Sequence, residues 1–250
     1  MDKGIYVAMT GASATLKAQA AVAHNLANVD TTGFKAALVQ TQQYAVNGAG
    51  LPSRIDTTLQ SAGFDASPGP QNTTGYALDV ALKPNAWLAV QDASGQEAYT
   101  RAGNLRVNEN GQLVTAAGNP LLGEGGPISV PSFQSISIAS DGTISIVPQG
   151  QGPEVQANVG RLRVVQNDVT QVSRGLDGLM HRPASASASP PPALAGNVLT
   201  SGAVEGSNVN AADALVGMIE LSRQFDLQVQ MLHHSDDNAR AATSMLRLGS

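Results

Sequence analysis

One group of side chains near the C-terminal end has the residue types of a metal site. His233 and His234 are followed by Asp236 and Asp237. Adjacent residues on a helix diverge by about 100°, whereas residues four apart share a face, so only His233 and Asp237 can act together. We interpret this group as a polar face, solvated or in contact with another subunit, and predict no metal site.

Four carboxylates are candidates for general acid and base roles. Each stands beside a sequence typical of a turn, where side chains face solvent by default. They are Glu97, Glu109, Asp141 and Glu154. Arg101, between Tyr99 and Gly103, fits cross-strand packing better than substrate binding. We therefore predict no catalytic residue among these groups.

The sequence also lacks the motifs of common enzyme classes. It contains no Walker loop, dinucleotide fingerprint, zinc-type spacing or nucleophile elbow. We predict no cofactor-binding residue and no enzymatic activity. With 14 basic and 19 acidic residues the net charge is -5, and no basic cluster could follow a phosphate backbone. Nucleic acid is therefore not an expected partner.

Composition also bears on the compartment. The absence of cysteine excludes disulfides and fits a protein that works outside the reducing cytosol. No segment approaches the ~20 apolar residues that span a bilayer, because Lys17, Gln19 and His24 interrupt the N-terminal candidate. The Ala-x-Ala sequence within 18–23 follows no apolar h-region, so we expect no cleaved signal peptide and no membrane insertion.

The N-terminal segment is predicted to be a helix that ends at Asn28, before Thr31-Thr32-Gly33. Its apolar or small residues alternate at spacings of four and three, the pattern of a heptad stripe, with Gln19 as a polar interruption. The stripe consists of Ile5, Met9, Ala12, Leu16, Ala23 and Leu26. At 1.5 Å per residue this helix would be roughly 39 Å long.

A second helix is predicted over 211–248. Asn210 with Asp213 resembles a capping box, and only Gly217 interrupts the helix formers before Gly249. Its stripe has Ser222, Asp236 and Thr243 as polar breaks and otherwise consists of Leu215, Met218, Phe225, Val229, Leu232, Ala239 and Leu246. Such helices need a partner for their apolar face, which is either the other helix of the same chain or a neighbouring subunit.

The middle of the chain is typical of β structure. Residues 36–75 are rich in turn residues, so we expect an extended connector there, with at most one short strand. Strand-length segments follow from residue 78, at Leu78–Leu82, Trp87–Gln91, Glu97–Arg101, Leu105–Val107, Gln112–Thr115 and Val159–Val165. An antiparallel sandwich or small barrel is the expected fold, and the Ala-, Ser- and Pro-rich residues 183–195 are expected to form a loop.

Two dipeptides predict hairpins with type I′ turns, in which both central residues have positive φ. They are Asn110-Gly111 and Asp141-Gly142. Around the second, alternation places the isoleucines on one face and the Ser and Thr side chains on the other. The apolar face consists of Ile136, Ile138, Ile144 and Ile146.

These elements predict five consecutive regions. The terminal regions form one core domain, and a β-rich body lies between them in sequence. The regions are 1–35 for the N-terminal helix and its following motif, 36–75 for the connector, 76–182 for the body, 183–204 for a loop and return strand, and 205–250 for the C-terminal helix.

Several motifs together resemble the flagellar axial family, which includes rod, hook and hook-filament junction proteins. NLANVDTTGFK at 25–35 is similar to the N-terminal signature of that family, with Asp30 where Ser or Asn is commoner. The other matching segments are YALDVAL at 76–82, YTRAGNLRV at 99–107, GEGGPISVP at 123–131, ASDGTIS at 139–145 and VEGSNVN at 204–210. The resemblance covers nearly the whole chain.

Within the family, the opening MDKGIYVAMTGAS, the short connector and GGPISVP look most like a rod protein. The segment that usually follows GFK in the distal rod protein is not found. Lys83-Pro84-Asn85-Ala86 departs from relatives, which tend to have Gly and Asp at that turn. The resemblance implies signature residues at Asn25, Leu26, Asn28, Thr32, Gly33 and Phe34. We expect Gly33 to have positive φ and Phe34 to occupy an apolar site.

The resemblance implies a structural subunit of the basal-body rod, where the rod crosses the periplasm. Such a subunit is exported through the flagellar type III apparatus, without a cleaved signal peptide. It stacks helically with itself and with inner and distal rod subunits. Its ends would be disordered in the monomer and fold into a coiled-coil-like core when neighbours cover their stripes.

Three alternatives remain at this stage. The first is a distal rod or hook subunit of the same family. The second is a stalked β-rich binding module, although Trp87 is the only tryptophan and aromatic residues make up 4% of the chain. The third is an enzyme acting on peptidoglycan, for which no acid and base pair or zinc spacing is present.

Overall fold

The computed structural model describes residues 3–45, 55–152, 154–166, 172–183 and 191–248. The chain forms two compact units. The first unit contains Met1–Ala27, Ala37–Ala62 and Val209–Ser250. The second contains Asn28–Ala36 and Gly63–Asn208. The terminal regions of the chain thus share one unit, and most of the β structure forms the other.

Both predicted helices are confirmed. Helix α1 runs Lys3–Ala27 and helix α2 runs Ala211–Leu248. Asn210 caps α2, since its side-chain Oδ1 accepts the Ala212 N–H at 3.0 Å. The two helices pack against each other within the first unit. Each helix thus covers part of the apolar face of the other. The disorder expected for these ends in the free subunit stays a prediction.

The buried face of α1 coincides with the predicted stripe at Ala12 but otherwise carries neighbouring small residues. It is formed by small residues, with Ala8, Ala12 and Thr15 buried and Gly11 against the Gln228 side chain. Met9 and Leu16 from the predicted stripe are 52% and 49% exposed. Small side chains on this face allow a close approach of the two helix axes.

The side chains of the predicted α2 stripe differ in their solvent exposure. Leu215 is 50% exposed, whereas four other members are half-buried. The half-buried members are Met218, Phe225, Val229 and Leu232. The side chains of Ile5, Ala239 and Leu246, also predicted for helix packing, lie outside the described side chains.

The region predicted as a connector contains two long strands. Strand β1 runs Ala37–Ala45 and β2 runs Ile55–Phe64, and the two pair with each other. Alternation of Thr, Gln, Ser and Tyr is sufficient for strand formation even though the segment has few large apolar residues. Residues 46–54, which include the predicted Asn47-Gly48 turn, lie outside the described residues.

The second unit contains six small sheets, and the paired strands within them run antiparallel. The largest sheet has the order β14-β5-β6-β16-β15, and a three-stranded sheet has the order β11-β12-β13. The remaining pairs are β17-β4, β18-β3, β7-β8 and β10-β9. The strands are β3 Gln71–Thr73, β4 Val80–Leu82, β5 Ala86–Gln91, β6 Glu97–Thr100, β7 Leu105–Val107, β8 Leu113–Thr115, β9 Leu122–Gly123, β10 Gly126–Pro127, β11 Phe133–Ile138, β12 Thr143–Pro148, β13 Ala157–Arg161, β14 Val164–Gln166, β15 Ser173–Arg174, β16 Met180–His181, β17 Leu199–Ser201 and β18 Ala203–Glu205.

The isoleucine alternation predicts the β11–β12 register correctly. Ile136 pairs with Ile146 and Ile138 pairs with Ile144, around the predicted Asp141-Gly142 turn. The segment predicted as one strand at Val159–Val165 is instead divided between β13 and β14, which belong to different sheets. The sheets do not close into a barrel within the described residues, so the barrel alternative is excluded.

The predicted type I′ turns are wrong in detail. Gly111 and Gly142 have φ of 75° and 88°, but Asn110 and Asp141 do not have positive φ. In the second hairpin the Gly142 N–H donates to the Ala139 carbonyl, and the Ala139 N–H donates to the Thr143 carbonyl. Both hairpins therefore have three-residue loops that end with a left-handed glycine, a common alternative to the two-residue turn.

The turn that departs from relatives has a left-handed residue. Asn85 has a φ of 62°, the only positive φ of a non-glycine residue among those described. Asparagine tolerates this conformation better than most residues, which accounts for its place in the turn. The Ala86 N–H closes the turn on the Lys83 carbonyl at 3.1 Å.

A single large apolar cluster fills the second unit. It includes Val80, Leu88, Leu113, Ile144 and Val164, each at most 1% exposed. A smaller cluster surrounds Trp87, whose ring meets Phe64 edge-on at a centroid distance of 5.7 Å. Neither helix among the described residues is long and apolar enough to cross a bilayer. Residues 184–190, most of the predicted loop, lie outside the described residues.

Candidate functional site

The signature motif continues from α1 into a compact turn, Asn28–Ala36, that belongs to the second unit. We call these residues the signature turn. The Thr31 N–H donates to the Asn28 carbonyl at 3.2 Å, and the Phe34 N–H donates to the Thr31 carbonyl at 3.2 Å. The Thr31 hydroxyl also donates to the Asn28 side chain. These local bonds end the helical hydrogen-bonding pattern and reverse the chain.

In this turn, replacing Gly33 by any other amino acid would cause strain. Its φ is 69°, which confirms the predicted left-handed conformation. A Cβ added there would lie 2.3 Å from the Arg101 carbonyl carbon and 2.5 Å from the Ala102 nitrogen. The Gly33 N–H donates to the Glu205 carbonyl at 2.7 Å. Conformation and close backbone approach therefore both require glycine.

Beneath the signature turn lies a cluster of buried charges formed by Lys35, Arg101 and Glu205, which we call the ion cluster. These residues are 1%, 4% and 1% exposed. Lys35 Nζ donates to Glu205 Oε1 at 2.7 Å and to the Ser67 carbonyl at 2.6 Å. Arg101 Nε donates to Glu205 Oε2 at 2.7 Å, and Arg101 Nη2 pairs with the same oxygen. Glu205 thus holds one cation on each carboxylate oxygen.

Backbone groups satisfy the rest of the ion cluster. The Gly69 N–H donates to Glu205 Oε1 at 2.9 Å. Arg101 Nη1 donates to the Ala86 carbonyl at 2.7 Å, and its guanidinium lies 5.6 Å from the centre of the Trp87 ring. A buried charge is tolerated only when it is paired and hydrogen-bonded in this way. The sequence interpretation of Arg101 as a packing residue omitted its charge partner.

The electrostatic environment shifts the pKa values of two groups in the cluster. Burial lowers the pKa of Lys35, although the hydrogen bond and charge of Glu205 act in the opposite direction. For Glu205, burial pushes the pKa upward, but the hydrogen bond from Lys35, the charge of Arg101 and the Gly69 N–H outweigh it and hold the pKa below its ordinary value. The carboxylate is therefore ionised at neutral pH.

Asn208 joins the signature turn to the segments on both sides of it. Its Oδ1 accepts the Ala36 N–H at 2.7 Å, and its Nδ2 donates to the Asp65 carbonyl at 3.0 Å. The Phe34 ring is half-buried beneath the Arg174 guanidinium, 4.5 Å from the ring centre. Burial lowers the pKa of Arg174, which remains charged. Phe34 therefore makes a cation–π contact where an apolar site was expected.

Asn25 performs a related role in the first unit. Its Nδ2 donates to the Ala37 carbonyl at 3.0 Å, and its Oδ1 accepts the Ala37 N–H at 2.8 Å. The amide side chain thus satisfies both backbone groups of the first residue of β1. Of the other signature residues, Leu26 and Thr32 are half-buried.

Sequence reasoning found the signature residues but not Lys35, Arg101, Glu205 or Asn208. A usable signal was present, because only 13% of residues are charged and each of three quoted motifs carries a charge. These motifs are GFK, YTRAGN and VEGSN. The glycine of YTRAGN, Gly103, also has a packing reason, since a Cβ there would lie 1.7 Å from the Val80 carbonyl oxygen.

The groups considered for metal binding and catalysis are dispersed. All four residues of the His233–Asp237 candidate are exposed on α2, and Asp236 pairs with Arg240 at 2.8 Å. Glu97 lies 3.4 Å from Arg163, while Glu109 and Glu154 are exposed. Asp141 accepts hydrogen bonds from the Thr143 N–H and hydroxyl, which lower its pKa. No two of these candidates form a shared site among the described residues.

Three other surface residues could supply ligand atoms to a cation. Asp92, Asp177 and His181 have ligand atoms within 4.8 Å of one another. The His181 ring already pairs with Asp177 at 2.9 Å. Asp92 Oδ1 accepts bonds from the Ser94 N–H, the Ser94 hydroxyl and the Gln96 N–H, which lower its pKa. These carboxylates stabilise turns of the β body.

Three family models match consecutive parts of the chain. "Flagella basal body rod protein" matches residues 5–35, "Flagellar hook protein FlgE/F/G D1 domain" matches 81–146, and "Flagellar basal body rod FlgEFG protein C-terminal" matches 200–245. Lys35, Arg101 and Glu205 each fall in a different one of these segments. The ion cluster is thus built from one residue of each matched region.

Curated proteins of known name are similar over the whole chain. The flagellar basal-body rod protein FlgF of Escherichia coli strain K12 is 43% identical over 99% of this chain and 100% of its own length. FlgF of Salmonella typhimurium strain LT2 is also 43% identical over the same shares. The basal-body rod protein FlgG of Buchnera aphidicola from Acyrthosiphon pisum is 34% identical over 94% of this chain and 96% of its own length.

Proposed function

Because this chain belongs to the flagellar basal-body rod protein family, we propose that it polymerises helically between the inner rod and the distal rod. It is a structural subunit of the flagellar basal-body rod. In the proposed position it forms part of the shaft that transmits torque to the hook and filament. Its partners are copies of itself and the inner and distal rod subunits.

The observation that carries the proposal is the convergence of three family-matched segments on one buried cluster. A buried cluster whose charged groups all have partners is suited to holding backbone segments together. Lys35 lies at the end of the signature motif, and Glu205 lies six residues before α2 begins at Ala211. The cluster therefore fixes both places where the chain passes between the helices and the β body.

The helices supply surfaces that fit neighbouring subunits. On α1, Tyr6, Met9 and Leu16 are 49% to 61% exposed. On α2, an outer stripe is 55% to 63% exposed and consists of Val216, Ile219, Leu227 and Met231. Exposed apolar rows of this kind mark contact surfaces. We assign them to contacts that build a coiled-coil-like core as subunits stack.

The remaining parts of the proposal concern route, location and chemistry. The subunit reaches the rod through the flagellar type III export apparatus and lies where the rod crosses the periplasm. It performs no catalysis. The five regions predicted from the sequence, with boundaries after residues 35, 75, 182 and 204, are proposed as its organisation in the rod.

Electron microscopy of basal bodies tests the position in the rod. A strain with the gene cleanly deleted is compared with the same strain complemented by the intact gene. We expect the deletion strain to lose the distal rod and hook while inner structures remain. Intact rods and hooks in the deletion strain would refute the proposed position.

A further inference from the structure

The contact between α1 and α2 contains a polar pair formed by a buried threonine and a half-buried glutamine. Thr15 on α1 is 5% exposed, and its Oγ1 lies 3.0 Å from Gln228 Oε1 on α2. The same Oγ1 lies 3.0 Å from the Gly11 carbonyl oxygen, one turn earlier in α1. Both helices belong to the first unit, so the pair is internal to one compact body.

One arrangement of hydrogens satisfies this pair fully. A hydroxyl has a single hydrogen and donates to one acceptor at a time, while its lone pairs accept from others. When the Gln228 amide is rotated by 180°, its Nε2 donates to Thr15 Oγ1, and the hydroxyl donates to the Gly11 carbonyl. The side chain of Gln228 then reaches the backbone of α1 through a hydroxyl.

Gly11 provides the space for this contact. A Cβ at Gly11 would lie 3.3 Å from the Gln228 amide atom that is Nε2 before the rotation and Oε1 after it, closer than ordinary van der Waals contact. The amide of Gln228 therefore lies over a residue of α1 that has no side chain. A slip of one helical turn would move Gln228 from Gly11 onto Ala8 or Thr15, each of which has a Cβ.

The rest of the contact does not define an alignment by itself. α1 contributes small residues such as Ala8 and Ala12, and α2 contributes half-buried Met218, Leu221 and Phe225. Apolar contacts are non-directional, so one helix can slide by a turn or a heptad at low cost. A buried polar residue prevents such slippage, because displacement leaves its hydrogen-bonding groups unpaired.

We propose that the Thr15–Gln228 pair sets the register between the two terminal helices. By fixing this register, the pair also fixes how the exposed apolar row of α1 lines up with the outer stripe of α2. The register itself does not depend on the rod assignment. Its consequence for stacking rests on the proposed function, since a neighbouring subunit would contact both rows together.

Distance measurement by electron paramagnetic resonance tests the register. The chain has no cysteine, so Ser13→Cys and Arg223→Cys introduce two spin labels at exposed positions, one on each helix. The pair is placed in the intact chain and in the Thr15→Ser, Thr15→Val and Gln228→Leu variants. Thr15→Ser keeps the hydroxyl and removes a methyl group, whereas Thr15→Val keeps the size and removes the hydroxyl.

We expect one narrow distance for the intact chain and for Thr15→Ser. Thr15→Val and Gln228→Leu should give additional distances, displaced by about 5 Å for a slip of one helical turn. A packing role alone predicts the reverse order, with Thr15→Val resembling the intact chain. The same narrow distance in all four proteins, or a broad distribution in the intact chain, would overturn the proposal.

Swimming assays separate the register from the rod assignment. The same variants without labels are expressed in the deletion strain, and Thr15→Ser should restore swimming where Thr15→Val does not. Normal swimming with Thr15→Val, together with a lost register in the purified chain, would overturn the link to stacking. Assembled rods in the deletion strain would instead refute the proposed function and leave the measured register unaffected.

Discussion

The ion cluster and the contact between α1 and α2 are held together by opposite means. In the ion cluster every charged group is buried and paired within the chain. Lys35 Nζ pairs with one Glu205 oxygen and Arg101 pairs with the other. In the helix contact most side chains are half-buried, and apolar rows remain exposed on both helices. The first region is complete in one chain, and the second leaves surface for partners. Substitutions should therefore affect stability in the first region and assembly in the second.

The largest effect on stability is expected for Glu205→Ala. The substitution leaves Lys35 and Arg101 buried without a counter-charge, and breaking a buried pair in this way costs about 3–5 kcal/mol. Urea unfolding followed by circular dichroism measures the change. Glu154→Ala is the matched control, because Glu154 is exposed and its loss should cost less than about 0.5 kcal/mol. Equal midpoints for the two variants would contradict the role of the ion cluster.

Gly33→Val should abolish swimming while the strands of the β body stay folded. The valine would clash with the Arg101 backbone and also require a φ of 69°, so the signature turn would be displaced. Gly75→Val separates the two causes, since Gly75 has a φ of 75° but no atom within 4 Å of an added Cβ. Hydrogen exchange of the body and a swimming assay provide the measurements. Normal swimming with Gly33→Val would show that the signature turn is not needed for a working rod.

The contribution of Glu205 should depend on pH in a defined direction. Its pKa is lower in the folded state, so its stabilising effect is complete above the ordinary value of 4.5 and is lost as pH falls through the lowered pKa. The stability difference between the intact chain and Glu205→Gln should therefore narrow in acid. Urea unfolding between pH about 7 and about 3 tests this expectation. A difference that stays constant to the lowest pH would show that Glu205 does not carry the effect.

The smallest effect on stability is expected on the outer stripe. Met231 is 59% exposed, so Met231→Ser should change the free energy of unfolding by less than about 0.5 kcal/mol yet reduce swimming. Phe225→Ser is the comparison, because Phe225 is half-buried and its loss should lower stability measurably. A strain with Met231→Ser that swims normally would argue against contacts through this stripe.

Periodic features of the sequence predicted the fold well. The bounds 211–248 for α2 follow from the cap at Asn210 and the run of helix formers before Gly249, and the Ile136–Ile146 register follows from the alternation of isoleucines. The face of α1 was predicted only in part, because Ala12 is buried as expected whereas Met9 and Leu16 are about half exposed. A small residue such as Gly11 contributes to packing by leaving space for a side chain of the other helix. A hydrophobicity pattern does not detect this contribution.

The signature turn could be predicted from the sequence, but the ion cluster beneath it could not. The resemblance identified Gly33 and Phe34, whereas the pairing of Lys35 with Glu205 joins residues that are 170 positions apart. Nothing local to either residue specifies its partner, since each is a single charge in a mainly uncharged motif. Buried charges are usually paired, but this rule predicts the Lys35–Glu205 pair only once both side chains are known to be buried.

The long sequence separation within the ion cluster bears on the order of events during synthesis. Lys35 and Arg101 lie 170 and 104 positions before Glu205, so neither acquires its counter-charge until the chain is more than four-fifths made. Contacts this distant in sequence form late and slowly. A partly made subunit therefore cannot complete its own core, and it stays unfinished for as long as its final fifth is missing. Glu205 in this way makes stable folding of the β body depend on synthesis having passed residue 205.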